Sequence, residues 1–183
     1  MSIKRVVVAV FISGLAACST ETPGHDLKAG APRSLAQGEV IGVPSPYDDE
    51  ITVYRGLPYA AAPIGDLRWQ PPQPAPSWEG IRIANTFSDS CYQPRHWDYF
   101  VWRREDFTVS EDCLYLNVWT PVNAQGLPVI VWFHGGTHLS GQGHSLIFDG
   151  TSLAQRGVLV ITVNYRLGPF GFLAHPVLSE AAQ

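Results

Sequence analysis

Two unbroken apolar runs dominate the hydropathy pattern of the chain: residues 128–133 (PVIVWF) and 158–164 (VLVITVN). Each has the length of a strand and no polar alternation, the pattern of strands covered on both faces in a parallel sheet. Between them, residues 146–156 place apolar side chains at Ile147, Phe148, Leu153 and Ala154, with Gly157 in C-cap position. This predicts a strand, crossover helix, strand unit with α/β layering and a right-handed connection. Upstream, residues 39–43 (EVIGV) and 51–54 (ITVY) are short β-prone runs split by Pro46, Tyr47, Asp48 and Asp49, which predicts a small antiparallel ribbon.

The first apolar run leads into His134-Gly135-Gly136-Thr137-His138. In α/β sheets, ligands gather at the carboxyl ends of strands, which is where this loop falls. Adjacent glycines free the backbone to bring N–H groups close to a ligand atom. Such groups, aimed at a developing oxyanion, are what acyl transfer requires. A zinc site from His134, His138 and His144 is the competing reading. The glycines deny these residues the single helical face that gives paired histidines their meaning, so neither metal nor cofactor is expected.

The loop resembles the HGGG-type oxyanion loop of esterases and lipases. Together with Ser110-Glu111-Asp112-Cys113-Leu114-Tyr115-Leu116-Asn117-Val118 and Asn164-Tyr165-Arg166-Leu167-Gly168, it resembles the type-B carboxylesterase family, which includes the cholinesterases. The likeness runs from about Gly38 to Ala174, and it takes in RGLPYA (55–60) and PIGDLRW (63–69) with two departures, Arg55 and Ala62. The implied fold is the amino-terminal part of an α/β-hydrolase: a small antiparallel ribbon leading into a mostly parallel sheet with a crossover helix. The implied oxyanion donors are the N–H groups of Gly136 and Thr137, with Gly135 permitting the turn. Thr137 stands where the family has a third glycine, and a β-branched residue resists φ > 0. The resemblance also implies an ion pair between Arg68 and Glu111.

Composition narrows the picture. With 45% hydrophobic and 15% charged residues among 183, the chain is globular in type. Its net charge is −4, and Lys4 and Arg5 lie in the leader, so the remainder is more acidic still and nucleic acid is not an expected partner. Residues 1–17 read as a signal peptide: a short basic start, then an apolar stretch too short for a stable membrane anchor. Leu15-Ala16-Ala17-Cys18 resembles a bacterial lipobox, in which Cys18 is lipidated; an ordinary cleaved signal with a chance cysteine is the alternative. Residues 18–36 then read as a polar tether and 37–183 as the partial hydrolase domain. The protein is expected to be exported, either anchored by lipid in the cell envelope or secreted.

With Cys18 acylated, Cys91 and Cys113 remain as an even pair in an exported protein, and the family closes a cysteine loop at the same Glu-Asp-Cys-Leu sequence, so a disulfide is expected. The enclosed loop is rich in aromatics. By resemblance Trp102 would line the mouth of an active-site gorge; the alternative is a loop packing its own aromatics onto the domain.

A hydrolase of this type also needs a G-x-S-x-G elbow, then an acid and a histidine. No G-x-S-x-G occurs; Gly143-His144-Ser145-Leu146-Ile147 lacks the second glycine. Two functional expectations follow. One is the amino-terminal portion of a serine esterase acting on small carboxylic esters through an acyl-enzyme, inactive alone and prone to aggregate through an uncovered sheet edge. The other is a non-catalytic, lipid-anchored envelope binding protein that keeps part of the fold.

Overall fold

A computed structural model of the protein describes residues 30–94 and 107–181. Signal peptide, Cys18 and Trp102 lie outside them. Ten strands run in the order β1 (Arg33–Leu35), β2 (Gly38–Ile41), β3 (Val43–Ser45), β4 (Asp48–Pro58), β5 (Ile81–Ile83), β6 (Ser90–Cys91), β7 (Val109–Ser110), β8 (Tyr115–Pro121), β9 (Val129–Phe133) and β10 (Leu159–Val163). Among the described residues there are three short α-helices, α1 (Thr151–Ala154) between β9 and β10, and α2 (Gly168–Phe172) and α3 (Pro176–Ala181) after β10. The main sheet has the order β3-β4-β8-β10-β9, and a smaller one the order β1-β2-β5.

The expected ribbon exists as the antiparallel β3–β4 pair. Among the described residues the main sheet is mixed rather than mostly parallel: β3–β4, β4–β8 and β8–β10 are antiparallel, and β9–β10 is the parallel pair. The tight link between β3 and β4 makes them antiparallel neighbours, residues 59–114 separate β4 from β8, and the crossover from β9 to β10 is long enough to return a strand in the same direction. Part of the expected tether is also structured, since β1 pairs with β2 in antiparallel register.

The sheet has two covered faces. On one, Ile51 and Val53 of β4, Trp119 of β8 and Val160 of β10 pack with Ala154 of α1. On the other, Tyr54 and Leu57 of β4 pack with Val40 of β2 and Ala84, with Leu116 and Val118 against them. Tyr54 and Leu57 are three apart and would face opposite ways in a regular strand. A bulge lets them share a face: Tyr54 pairs with Val118 and Leu57 with Leu116, so β4 spends three residues where β8 spends two. Gly56 in the bulge has φ +65°, and its N–H is accepted by the buried Asn117 side chain at 3.0 Å.

The crossover helix shrinks to a 3-10 turn at Leu146–Phe148 and the single turn of α1. Gly150 sits against Trp119, with room for no Cβ: one would come within 3.0 Å of the indole and 2.9 Å of Val160 Cβ. A glycine that packs this closely interrupts the helical pattern. Gly157, at φ +80°, ends the segment as the sequence predicts.

The strand expected to be buried on both faces is instead exposed. Among the described residues β9 is the edge strand, and all five of its residues are exposed, from Ile130 at 40% to Phe133 at 63%. Its lack of polar alternation is the pattern of a strand covered on both faces.

Candidate active site

The loop leaves the carboxyl end of β9 at His134, which is 3% exposed. Its ring stacks on Tyr165 with centroids 4.4 Å apart, and the Tyr165 hydroxyl donates to the His134 carbonyl at 2.6 Å. Burial lowers the pKa of His134, so the ring stays neutral at pH 7. Gly136, at φ +123°, makes the turn: its carbonyl accepts from the N–H groups of Leu139 at 3.0 Å and Ser140 at 3.1 Å, and from the Thr137 hydroxyl at 2.7 Å. A Cβ on Gly136 would lie 1.8 Å from the Ser140 carbonyl oxygen, whereas one on Gly135 would meet open space. The glycine the turn demands is therefore Gly136 rather than Gly135.

Thr137 and His138 follow at φ +55° and +62°, so the β-branched residue does adopt the left-handed backbone. Each such residue costs on the order of 1–3 kcal/mol and persists only where its surroundings hold it. Here the His138 carbonyl accepts from Gly168 N–H at 2.7 Å, and its ring stacks on Phe172 of α2 at 4.2 Å. The N–H groups of Gly136 and Thr137 find no acceptor among the described residues. Paired, unspent donors at a strand end are what an oxyanion requires.

The Asn164-Tyr165-Arg166-Leu167-Gly168 segment is the clamp on this loop. Asn164 Oδ1 accepts from Gly143 N–H at 2.7 Å, and its amide donates to the Asp89 carbonyl at 3.1 Å. Tyr165 holds His134, and Gly168 holds His138, as above. Sequence reading recognised this motif without its role, because the role lies in contacts made far along the chain.

Cys91 and Cys113 form the expected disulfide, buried beside Leu114 and Leu167. Arg68 and Glu111 form the expected ion pair, with Nε to Oε2 and Nη2 to Oε1 both at 2.6 Å. The pair, the disulfide and the rings of Trp69, Tyr92 and Phe170 border an open cleft. The three histidines weighed for zinc are separated in role: His134 and His138 stack as described, and His144 stacks on Phe87 at 5.3 Å. Among the described residues no group of three potential ligands could hold a metal. Ser145, in the nearest approach to an elbow, is buried in the turn before Leu146–Phe148. Sequence reading missed Gln93, Gln142 and Ser90, whose side chains surround the loop's exit; their one signal was polarity next to a cysteine and a glycine run.

Residues 31–181 match the model of the Carboxylesterase family. The chain belongs to that family. This carboxylesterase-family chain is 43% identical over 153 residues to the fumonisin B1 esterase of Sphingopyxis macrogoltabida, covering 81% of this chain and 26% of that protein. It is 42% identical over 133 residues to the para-nitrobenzyl esterase of Bacillus subtilis (strain 168), covering 70% and 26%. A solved PNB esterase matches with TM-score 0.75 at 38% identity, over 82% of this chain and 31% of that one. A Geobacillus stearothermophilus carboxylesterase matches with TM-score 0.67 at 38% identity, over 78% and 28%. The fold is thus part of an α/β-hydrolase, and the chain spans about a quarter of the length of the curated relatives it matches.

Proposed function

We propose that this carboxylesterase-family chain supplies the oxyanion-binding side of a serine ester hydrolase. When a serine alkoxide adds to an ester carbonyl, the carbonyl oxygen takes the negative charge; collapse of the adduct expels the alcohol and leaves an acyl-enzyme for water to cleave. The N–H groups of Gly136 and Thr137 would hold that oxygen. The observation that carries the reading is this donor pair, free at the end of β9 and fixed by the clamp from residues 164–168. The family's serine elbow is not among these 183 residues, so the proposal covers this side of the site alone. The esterase names of its relatives support a carboxylic ester substrate.

The test is to translate the DNA past codon 183 in all three frames and assay the resulting product on p-nitrophenyl butyrate. The Cβ of Gly136→Ala would clash with the Ser140 carbonyl oxygen and displace the donors, so hydrolysis that falls about 10²-fold or more with the urea midpoint kept supports the reading, the scale of an oxyanion donor put out of place. No hydrolysis by any product, or hydrolysis indifferent to Gly136, sinks it. We also propose an exported, lipid-anchored location. The basic-then-apolar leader, the lipobox-like end at Cys18 and a disulfide suited to an oxidising compartment support it. Labelled palmitate should enter the wild type and not Cys18→Ser.

A further inference from the structure

The exit of the loop is gripped by a side chain from the cysteine loop. Gln93, 6% exposed, brackets Gly141 on both sides: its Oε1 accepts from the Gly141 N–H at 2.8 Å, and its Nε2 donates to the Gly141 carbonyl at 2.8 Å. The same Nε2 donates to the Cys91 carbonyl at 3.1 Å. Gly141, at φ +117°, lies so close beneath the loop's entry that a Cβ there would come within 2.3 Å of His134 Nδ1 and 2.5 Å of the Gly135 carbonyl oxygen. Next door, Gln142 Oε1 accepts from the Ser90 hydroxyl at 2.9 Å. Entry and exit of the loop are therefore packed on each other, the entry held by Tyr165 and the exit by the strand that carries Cys91.

We propose that Gln93 is a positioning residue for the oxyanion loop: by fixing Gly141 against His134 and Gly135, it holds the turn in which the N–H groups of Gly136 and Thr137 have no acceptor among the described residues. The inference rests on the oxyanion reading above. A loop with two left-handed non-glycine residues relaxes unless both ends are held. A carboxamide suits the task because it donates and accepts at one end; a carboxylate only accepts, and an alkyl chain does neither. Through Gln93, the disulfide-anchored strand sets the geometry of a loop it does not touch in sequence.

The test is native-state amide exchange on the full chain in two variants, Gln93→Leu and Gln93→Glu, read at Leu139, Ser140 and Gly141 with the amides of β8 and β10 as reference. In Gln93→Leu, exchange at the three loop amides should rise about tenfold or more with the reference unchanged, the scale of losing the three hydrogen bonds of the Gln93 side chain. In Gln93→Glu, which keeps an acceptor for the Gly141 N–H and loses the donor to the Gly141 and Cys91 carbonyls, the rise should appear at Leu139 and Ser140 at pH 7 and shrink towards pH 5, where the buried carboxyl gains a proton and becomes a donor again. His134 and His144 lie nearby, so wild type at each pH is the baseline. Unchanged loop exchange, a rise spread evenly over the sheet, or a Glu variant indifferent to pH each overturns the proposal. Should Gln93→Leu fail to fold, the near-isosteric Glu variant decides. Esterase turnover is not read, so a failed hydrolysis assay and a failed exchange assay remain separate results.

Discussion

His144 shows how one side chain can make stability depend on pH. Its Nδ1 is buried without a hydrogen-bond partner among the described residues, and its pKa is lowered to about 4, first by burial and then by His134, with Asp89 opposing. The folded chain thus holds the ring neutral where the unfolded chain, with an ordinary value of 6.5, takes up a proton. The stabilising contribution is present above pH 6.5 and is lost as pH falls towards 4, a total on the order of 3 kcal/mol. Urea unfolding at pH 7.0 and 4.5 should show this fall, and His144→Phe, which keeps a ring against Phe87, should flatten it. Arg68 behaves differently. Its pairing with Glu111 raises its pKa, but the side chain is 39% exposed, so water and salt screen the pair. Arg68→Met should lower thermal stability slightly, and 1 M salt should shift the wild type and leave the variant where it is.

Among the elements, the β4 bulge and the β9 edge carry the clearest consequences. Asn117 accepts from Gly56 N–H and donates to Thr162 Oγ1 at 3.1 Å, so one buried amide joins β4, β8 and β10. Asn117→Leu leaves the Gly56 N–H unpaired and should lower the unfolding free energy by about 2–3 kcal/mol, read from the urea midpoint. At the edge, β9 presents an apolar strand with no charge to discourage a partner. The chain should self-associate, and Val131→Lys should reduce the sedimenting fraction with little effect on the urea midpoint, because Val131 is already 48% exposed. The positions of β9 and β10 were legible as apolar runs. Their neighbours were not, since periodicity reports a strand's need for cover and not whether these residues supply it. The bulge was hidden too: Gly56 looked like part of a motif, and its role appears only once Tyr54 and Leu57 are seen to share a face.

For the whole molecule, the disulfide joins the cysteine loop to the start of β8 across 22 positions. Replacing both cysteines by alanine should cost about 2–4 kcal/mol in the loop-entropy account, checked by urea unfolding in oxidising and reducing buffer, with reductant moving only the wild type. The disulfide and the Arg68 pair were legible although their partners lie 22 and 43 positions apart, because both partners of each fall in motifs to which the family resemblance already assigned a pairing. The clamp around the loop was not, because the resemblance assigned no partner to Gln93, Asn164 or Tyr165, and their contacts appear only in the folded chain. Sheet order has a further effect, on timing. β10 lies between β8 and β9 although it is made after both. While the polypeptide is being synthesised, the apolar strand Val129–Phe133 has no partner until Leu159–Val163 has emerged and inserted beside β8. Ribosomes paused in that interval should display a sticky, unpaired strand, and nascent chains of that length should be the ones that general chaperones hold most tightly.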